Sequence, residues 1–272
     1  MQEKLQSSLL NVGDYLKMGW SEFTKNIQTF LGFTLLINIP INAITFVELF
    51  LSSSEESSTA NAGITNLLSL LSLIFYILSI LAALALPKII ERSIRGSTLD
   101  ATIALKNAVS KLFITIVVSI FASIFVGIGL IFLLIPGIWL GTLLSFTYYA
   151  VILRNCGFNA LGYSQSLVKG RWWAVFGRNI LLLCLVLPVT LLAIAASIIG
   201  GITGSLPILA SLGIINLAVL ENIDIDNLNI ILAVVQLLSS LILSLLSYYI
   251  GAVYTVMFLN FDYTRNPPLE IS

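Results

Sequence analysis

The 272-residue chain contains no histidine. That removes the commonest metal ligand and the commonest general base near neutral pH. Cysteine is almost absent: Cys156 and Cys184 stand 28 positions apart. This spacing argues against a disulfide framework and leaves two inert thiols in apolar surroundings. Charge is scarce as well. Lys plus Arg and Asp plus Glu number 13 each, and together they make up only 10% of the residues, against about 25% in a soluble domain. With zero net charge there is no global field to draw nucleic acid, and no nucleic-acid partner is expected. The sequence has no H-E-x-x-H, no Walker loop, no G-x-S-x-G and no cluster of carboxylates. The expectation is therefore a protein without catalytic, metal or cofactor residues, and not an enzyme.

What the chain has in abundance is apolar surface. Hydrophobic residues reach 58% and the mean hydropathy is +1.03. No soluble fold of this size hides that much, so the solvent must be largely lipid. The first apolar run begins only near Phe30, behind a polar, charged segment with no cleavage site. No removable leader is expected, and Met1 is read as the mature N-terminus.

The predicted class is all-α: a polytopic membrane protein, a bundle of six transmembrane helices in three hairpins. Residues 1–28 form an interfacial amphipathic helix, 29–262 the membrane domain and 263–272 a polar, disordered tail. In the first segment Leu5, Leu9, Val12, Leu16, Trp20 and Phe23 make one helical stripe. It fits two placements, one in the headgroup plane and one covering the ends of the bundle. The spans are 29–51, 67–86, 113–135, 138–153, 178–199 and 230–259. Gly96 stops the second helix, Ser97-Thr98 caps a short helix over 99–111, and Pro136-Gly137 turns the third span into the fourth. Only 42 residues separate Lys111 from Arg154, and two crossings of about 20 residues each consume nearly all of them. A polar bend at Arg154-Asn155 and a second interfacial stretch over 159–169 follow. Gly200-Gly201 ends the fifth span, and 205–229 is an outer-face or re-entrant helix. Tyr248, Tyr249, Tyr254, Phe258 and Phe261 form an aromatic belt.

Charge gives the orientation. With the N-terminus in the cytoplasm and six crossings, all 13 Lys and Arg fall on the cytoplasmic side, and the outer segments hold only Glu55, Glu56, Glu221, Asp224 and Asp226. Both termini are then cytoplasmic.

Two candidate sites emerge. Lys88, Arg92, Arg95, Lys169, Arg171 and Arg178, with Trp172 and Trp173, can form a basic floor that contacts anionic lipid headgroups. The same charges also serve as topological signals alone. Asn38, Pro40 and Asn42 lie mid-span, with Gln236 in the last span. A helix broken there can mark a binding site, or it can be a kink that the amides repair.

Two runs carry a likeness. They are Ile135-Pro136-Gly137-Ile138-Trp139 and Asn159-Ala160-Leu161, continuing through Ser164 to Lys169-Gly170-Arg171-Trp172-Trp173 and Phe176. The stretch 65–185 resembles the membrane domain of membrane-anchored bacterial glycerophosphodiester phosphodiesterases, and of related stand-alone integral membrane proteins. The resemblance implies a six-helix bundle in the bacterial inner membrane. It carries over no catalytic residue, because the phosphodiesterase barrel is a separate soluble domain. The functional expectation is a non-catalytic scaffold that contacts membrane lipids and a membrane-protein partner or a second copy of itself. The alternative is a small permease-like carrier working at the Asn38-Pro40-Asn42 break.

Overall fold

The computed structural model describes residues 2–7, 9–53, 59–211 and 225–265. Among these, every regular element is helical: α1 (Gln2–Ser7), α2 (Val12–Lys25), α3 (Ile27–Ser53), α4 (Thr59–Ile94), α5 (Ala101–Phe132), α6 (Leu134–Leu143), α7 (Thr147–Arg154), α8 (Ala160–Val168), α9 (Trp172–Ser211) and α10 (Ile225–Arg265), with a 3-10 turn at Gly157–Asn159. Among the described residues, five stretches are long and apolar enough to cross a membrane: Ile27–Glu48, Gly63–Ile94, Ala101–Phe132, Leu134–Arg154 and Val234–Arg265. A sixth is reached if Gly157–Val168 and Trp172–Pro188, bent by 103°, count as one broken span. This is the architecture of a multi-pass membrane protein. The faces of α4 and α5 agree with it, for Leu70, Ile74, Ile120 and Ile124 stay exposed, as lipid-facing side chains do.

Several expected boundaries move. The short helix over 99–111 and the third span are one helix, α5, capped by Asp100 rather than by Ser97-Thr98. The Asp100 carboxylate accepts from Thr102 N at 3.0 Å. The turn expected at Pro136-Gly137 sits earlier, at the extended residue Leu133. Pro136 lies in the first turn of α6, where its missing N–H has no helical partner to lose. Gly137 is there for contact: a Cβ would come within 2.5 Å of Leu130 N, while one on Gly129 would come within 2.9 Å of Gly137 Cα. Gly200-Gly201 does not end the fifth helix, because α9 continues to Ser211. Without water to compete for the backbone, glycine is a weak helix breaker. Likewise α10 runs to Arg265 with Tyr263 buried, so residues 263–265 are helical where the sequence predicts a tail. Residues 212–224, which hold most of the expected re-entrant piece, and 266–272 lie outside the described residues.

The helices also exceed the spans read from hydropathy. At 1.5 Å per residue, α4 and α10 are about 54 and 61 Å long, against about 30 Å of hydrocarbon. They project beyond it.

The fourth span is a broken helix. The α6 helix ends at Leu143 and α7 begins at Thr147, so backbone groups between them are freed at a buried place. Ser164 of α8, fully buried, meets them with one hydroxyl. It donates to Leu143 O at 2.7 Å and accepts from Phe146 N at 3.1 Å. Ser164→Ala is expected to lower stability by at least about 2 kcal/mol, because each of these two orphaned groups costs about 1–3 kcal/mol. Thermal unfolding in detergent, followed by helical circular dichroism, checks it. At its other end α7 closes on Asn155 in the left-handed conformation (φ 55°), and Cys156 N donates back to Ala150 O at 3.4 Å. The polar bend therefore stands where the sequence places it.

Contacts divide the chain into two units. Unit 1 comprises Met1–Phe30, Ile80–Cys184 and Ser247–Ser272; unit 2 comprises Leu31–Ser79 and Leu185–Leu246. This grouping joins segments that a linear division keeps apart. All 13 Lys and Arg belong to unit 1, and unit 2 contains none.

In unit 1 the N-terminal stripe is interrupted. Residues 9–11 separate α1 from α2, and Leu9 and Trp20 are exposed. The buried face of α2 is Tyr15, Met18, Gly19, Glu22 and Phe23. A Cβ on Gly19 would stand 3.0 Å from Val253 Cα, so α2 packs closely on α10. Both placements open to this segment are compatible with that packing, which fixes one face of α2 against α10.

In unit 2, α3 runs unbroken through Pro40. Asn38 Nδ2 donates to Thr34 O at 2.9 Å, and Asn42 Nδ2 donates to Asn38 O at 2.7 Å and Ser240 Oγ at 2.9 Å.

Candidate functional site

The polar chemistry of unit 1 converges on the last two turns of α10, where an apolar run is interrupted by Asn260, Asp262 and Thr264. Asn260 is fully buried. Its Oδ1 accepts from Leu10 N at 3.2 Å and from the Tyr15 hydroxyl at 2.5 Å, while its Nδ2 donates to Leu5 O at 2.8 Å. One amide thus ties both N-terminal helices to α10. Burial pushes the Tyr15 phenol up to about 12, the nearby Arg178 guanidinium offsetting part of the effect. Tyr15 therefore stays a neutral donor at physiological pH.

Two residues on, Asp262 is 2% exposed. Its Oδ2 accepts from Arg154 Nε at 2.6 Å, and its Oδ1 accepts from the Tyr163 hydroxyl. The same guanidinium reaches Glu91 Oε1 through Nη1 at 2.9 Å, and Arg95 Nη2 meets that oxygen at 2.7 Å. The rings of Phe258 and Tyr263 flank Arg154 at 5.7 and 5.8 Å. Two carboxylates and two guanidiniums therefore balance, as a buried ion network requires. The arrangement fixes α4, α7, α8 and α10 to one another. It is poorly suited to proton transfer, because each carboxylate is already committed to a cation.

Around this hub the candidate cations separate. Arg171 Nη1 donates to Thr264 Oγ1 at 3.0 Å and its guanidinium lies 5.8 Å from the Phe261 ring. Arg178 donates to Leu10 O at 2.9 Å, with the rings of Tyr15 and Phe261 at 5.0 and 5.5 Å. Its Nε and Nη1 are buried with no hydrogen-bond partner, and those aromatic faces take part of the charge. Arg95 is held by Glu91. These three are structural ties before they are lipid contacts. Arg92 and Lys169 are exposed, and Lys88 is half-buried. Trp172 Nε1 donates to Trp139 O at 3.2 Å and stacks on Phe176 at 4.7 Å, while Trp173 is 77% exposed. With Ile135 and Ile138 these rings line an apolar groove of about 450 Å³.

The second candidate set stays within unit 2. Asn38 and Asn42 spend their amide nitrogens as described above, and Gln236 is half-buried in α10. The structure does not open the helix at Pro40.

The sequence places Arg154 at a polar bend, but nothing local in it ties that guanidinium to Glu91 or Asp262, or marks Tyr163 and Asn260. A signal was present. Asp262 is the one acid between Asp226 and Glu270, in an apolar and aromatic run whose only basic residue is Arg265, and a lone acid there demands a partner. Among the described residues no group of three His, Cys, Asp or Glu could hold a metal ion. Burial pushes the Cys156 thiol up, away from the reactive thiolate. No family model, curated protein or solved structure matches this chain.

Proposed function

We propose that the chain is a non-catalytic, six-span protein of the bacterial inner membrane, with both termini in the cytoplasm, that acts as a scaffold contacting lipids and membrane partners. The observation that carries this reading is the Glu91–Arg154–Asp262 network. The charges of Glu91, Arg95, Arg154 and Asp262 are spent on one another and hold helices together. The segregation of every Lys and Arg into unit 1 supports the orientation, because basic segments stay cytoplasmic. The resemblance to phosphodiesterase membrane domains points the same way. A carrier working at Asn38 and Asn42 finds less support, since their amide nitrogens are occupied by Thr34, Asn38 and Ser240.

The protein purified in mild detergent should retain membrane lipid through size exclusion, detected by mass spectrometry. It should carry no solute across proteoliposomes. A lipid-free preparation that nonetheless drives solute flux would overturn the scaffold reading in favour of the carrier.

A further inference from the structure

Within unit 1, α4, α5 and α7 enclose a groove of about 580 Å³ lined by Ile80, Leu84, Ile116, Ile120, Ile124 and Tyr148, with Thr115, Ser119 and Ser123 on its α5 wall. The same three helices continue into a second cleft. One turn beyond Leu84 stands Lys88, one turn before Thr115 stands Lys111, and one turn after Tyr148 stands Ile152. Leu84 borders both, and Ala104, Asn107 and Ala108 complete the second lining. The two openings are thus successive parts of one furrow, apolar along its length and cationic at one end. No carboxylate lines either part. From Lys111 to Ser123 the furrow extends about 18 Å along α5 at 1.5 Å per residue, close to the roughly 15 Å of one leaflet's hydrocarbon.

Thr115 adds an independent sign. It is 5% exposed, and its Oγ1 is buried without a hydrogen-bond partner. A hydroxyl in a membrane helix usually turns back to its own backbone; this one lines the furrow between the apolar part and the lysines. The Tyr148 hydroxyl is already spent on Ala83 O at 2.6 Å. Thr115, the lining hydroxyl nearest the lysines, is therefore a donor for a carbonyl at that depth, with Ser119 and Ser123 further along the same wall.

We infer that this furrow is a binding site for one anionic phospholipid, with an acyl chain along Ile80, Leu84, Ile116 and Ile120, an ester carbonyl at Thr115, and the phosphate between Lys88 and Lys111. The inference rests on the proposed lipid-contacting role and gives it a place and a headgroup charge. The cleft at the lysines holds only about 10 Å³, so the phosphate sits at its mouth and the flexible ammonium groups reach it from either side. A net-negative headgroup is favoured because two cations face it with no acid in the lining.

The test uses the full-length protein in detergent micelles, titrated with dioleoylphosphatidylglycerol or dioleoylphosphatidylcholine and read by native mass spectrometry. The wild type should prefer the anionic lipid by about tenfold or more, the scale of two surface lysines. Lys88→Gln with Lys111→Gln should abolish that preference, and Lys88→Arg with Lys111→Arg should keep it. Ser119→Phe, at a half-exposed position, fills the apolar part and should weaken both lipids while helical circular dichroism is unchanged. Glycerol 3-phosphate, which has the phosphate and no chain, should not compete. Equal binding of the two lipids, a preference surviving the double glutamine variant, or effective competition by glycerol 3-phosphate overturns the site. If lipid is retained but indifferent to these changes, the site fails and the lipid-contacting role stands. If the wild type retains no lipid at all, both fall.

Discussion

Replacing Asp262 by alanine is expected to lower the free energy of unfolding by about 3–5 kcal/mol, the cost of stranding a charge whose buried partner is removed. Arg154 would keep Glu91 but lose its 2.6 Å bond to Asp262, in a setting closed by Phe258 and Tyr263. Tyr163 would lose its acceptor at the same time. The companion Arg154→Met/Asp262→Leu variant should recover most of the loss, because an apolar pair of similar volume removes the desolvation penalty together with the attraction. Glu91 remains paired with Arg95 in that background. Denaturant titration in detergent, followed by helical circular dichroism, measures both. A loss below about 1 kcal/mol for the single variant would place the pair among surface salt bridges and refute its role as the hub.

Asn260→Leu should have an effect of similar size but a different signature. It leaves Leu10 N, Leu5 O and the Tyr15 hydroxyl without their partner. Each orphaned buried group costs about 1–3 kcal/mol, so the chain does better by releasing α1 and the start of α2 to solvent. Hydrogen exchange should therefore accelerate at residues 5–15, while amides in α5 keep their protection. Uniform acceleration across both regions would mean that Asn260 stabilises the whole unit and is no specific anchor.

These results bear on what a sequence can disclose about such a chain. Composition and hydropathy located the apolar helices because lipid solvation acts on every residue of a span. The Gly96 stop (φ 78°) and the Asn155 bend were legible for a local reason: each depends on the conformational freedom of one residue. The limits of α4, α9 and α10 were not, because projecting helix ends are set by packing rather than by hydropathy. Nor was the turn at Leu133, since Pro136 and Gly137 suit a helix start and a close contact as well as they suit a turn. The hub was hardest. Arg154 and Asp262 lie 108 positions apart, and each alone looks like an ordinary interfacial charge. Only the fold reveals that Arg171 and Arg178 are used internally, whereas Arg92 and Lys169 remain on the surface.

The anchoring of Leu5, Leu10 and Tyr15 on a residue some 250 positions downstream also sets an order of assembly. At about 5–20 residues per second, the ribosome needs on the order of tens of seconds to pass from the first helix to the last. Throughout that interval the earliest-made segment has no Asn260 to receive it, and whatever shields its apolar side meanwhile must let go when the final helix arrives.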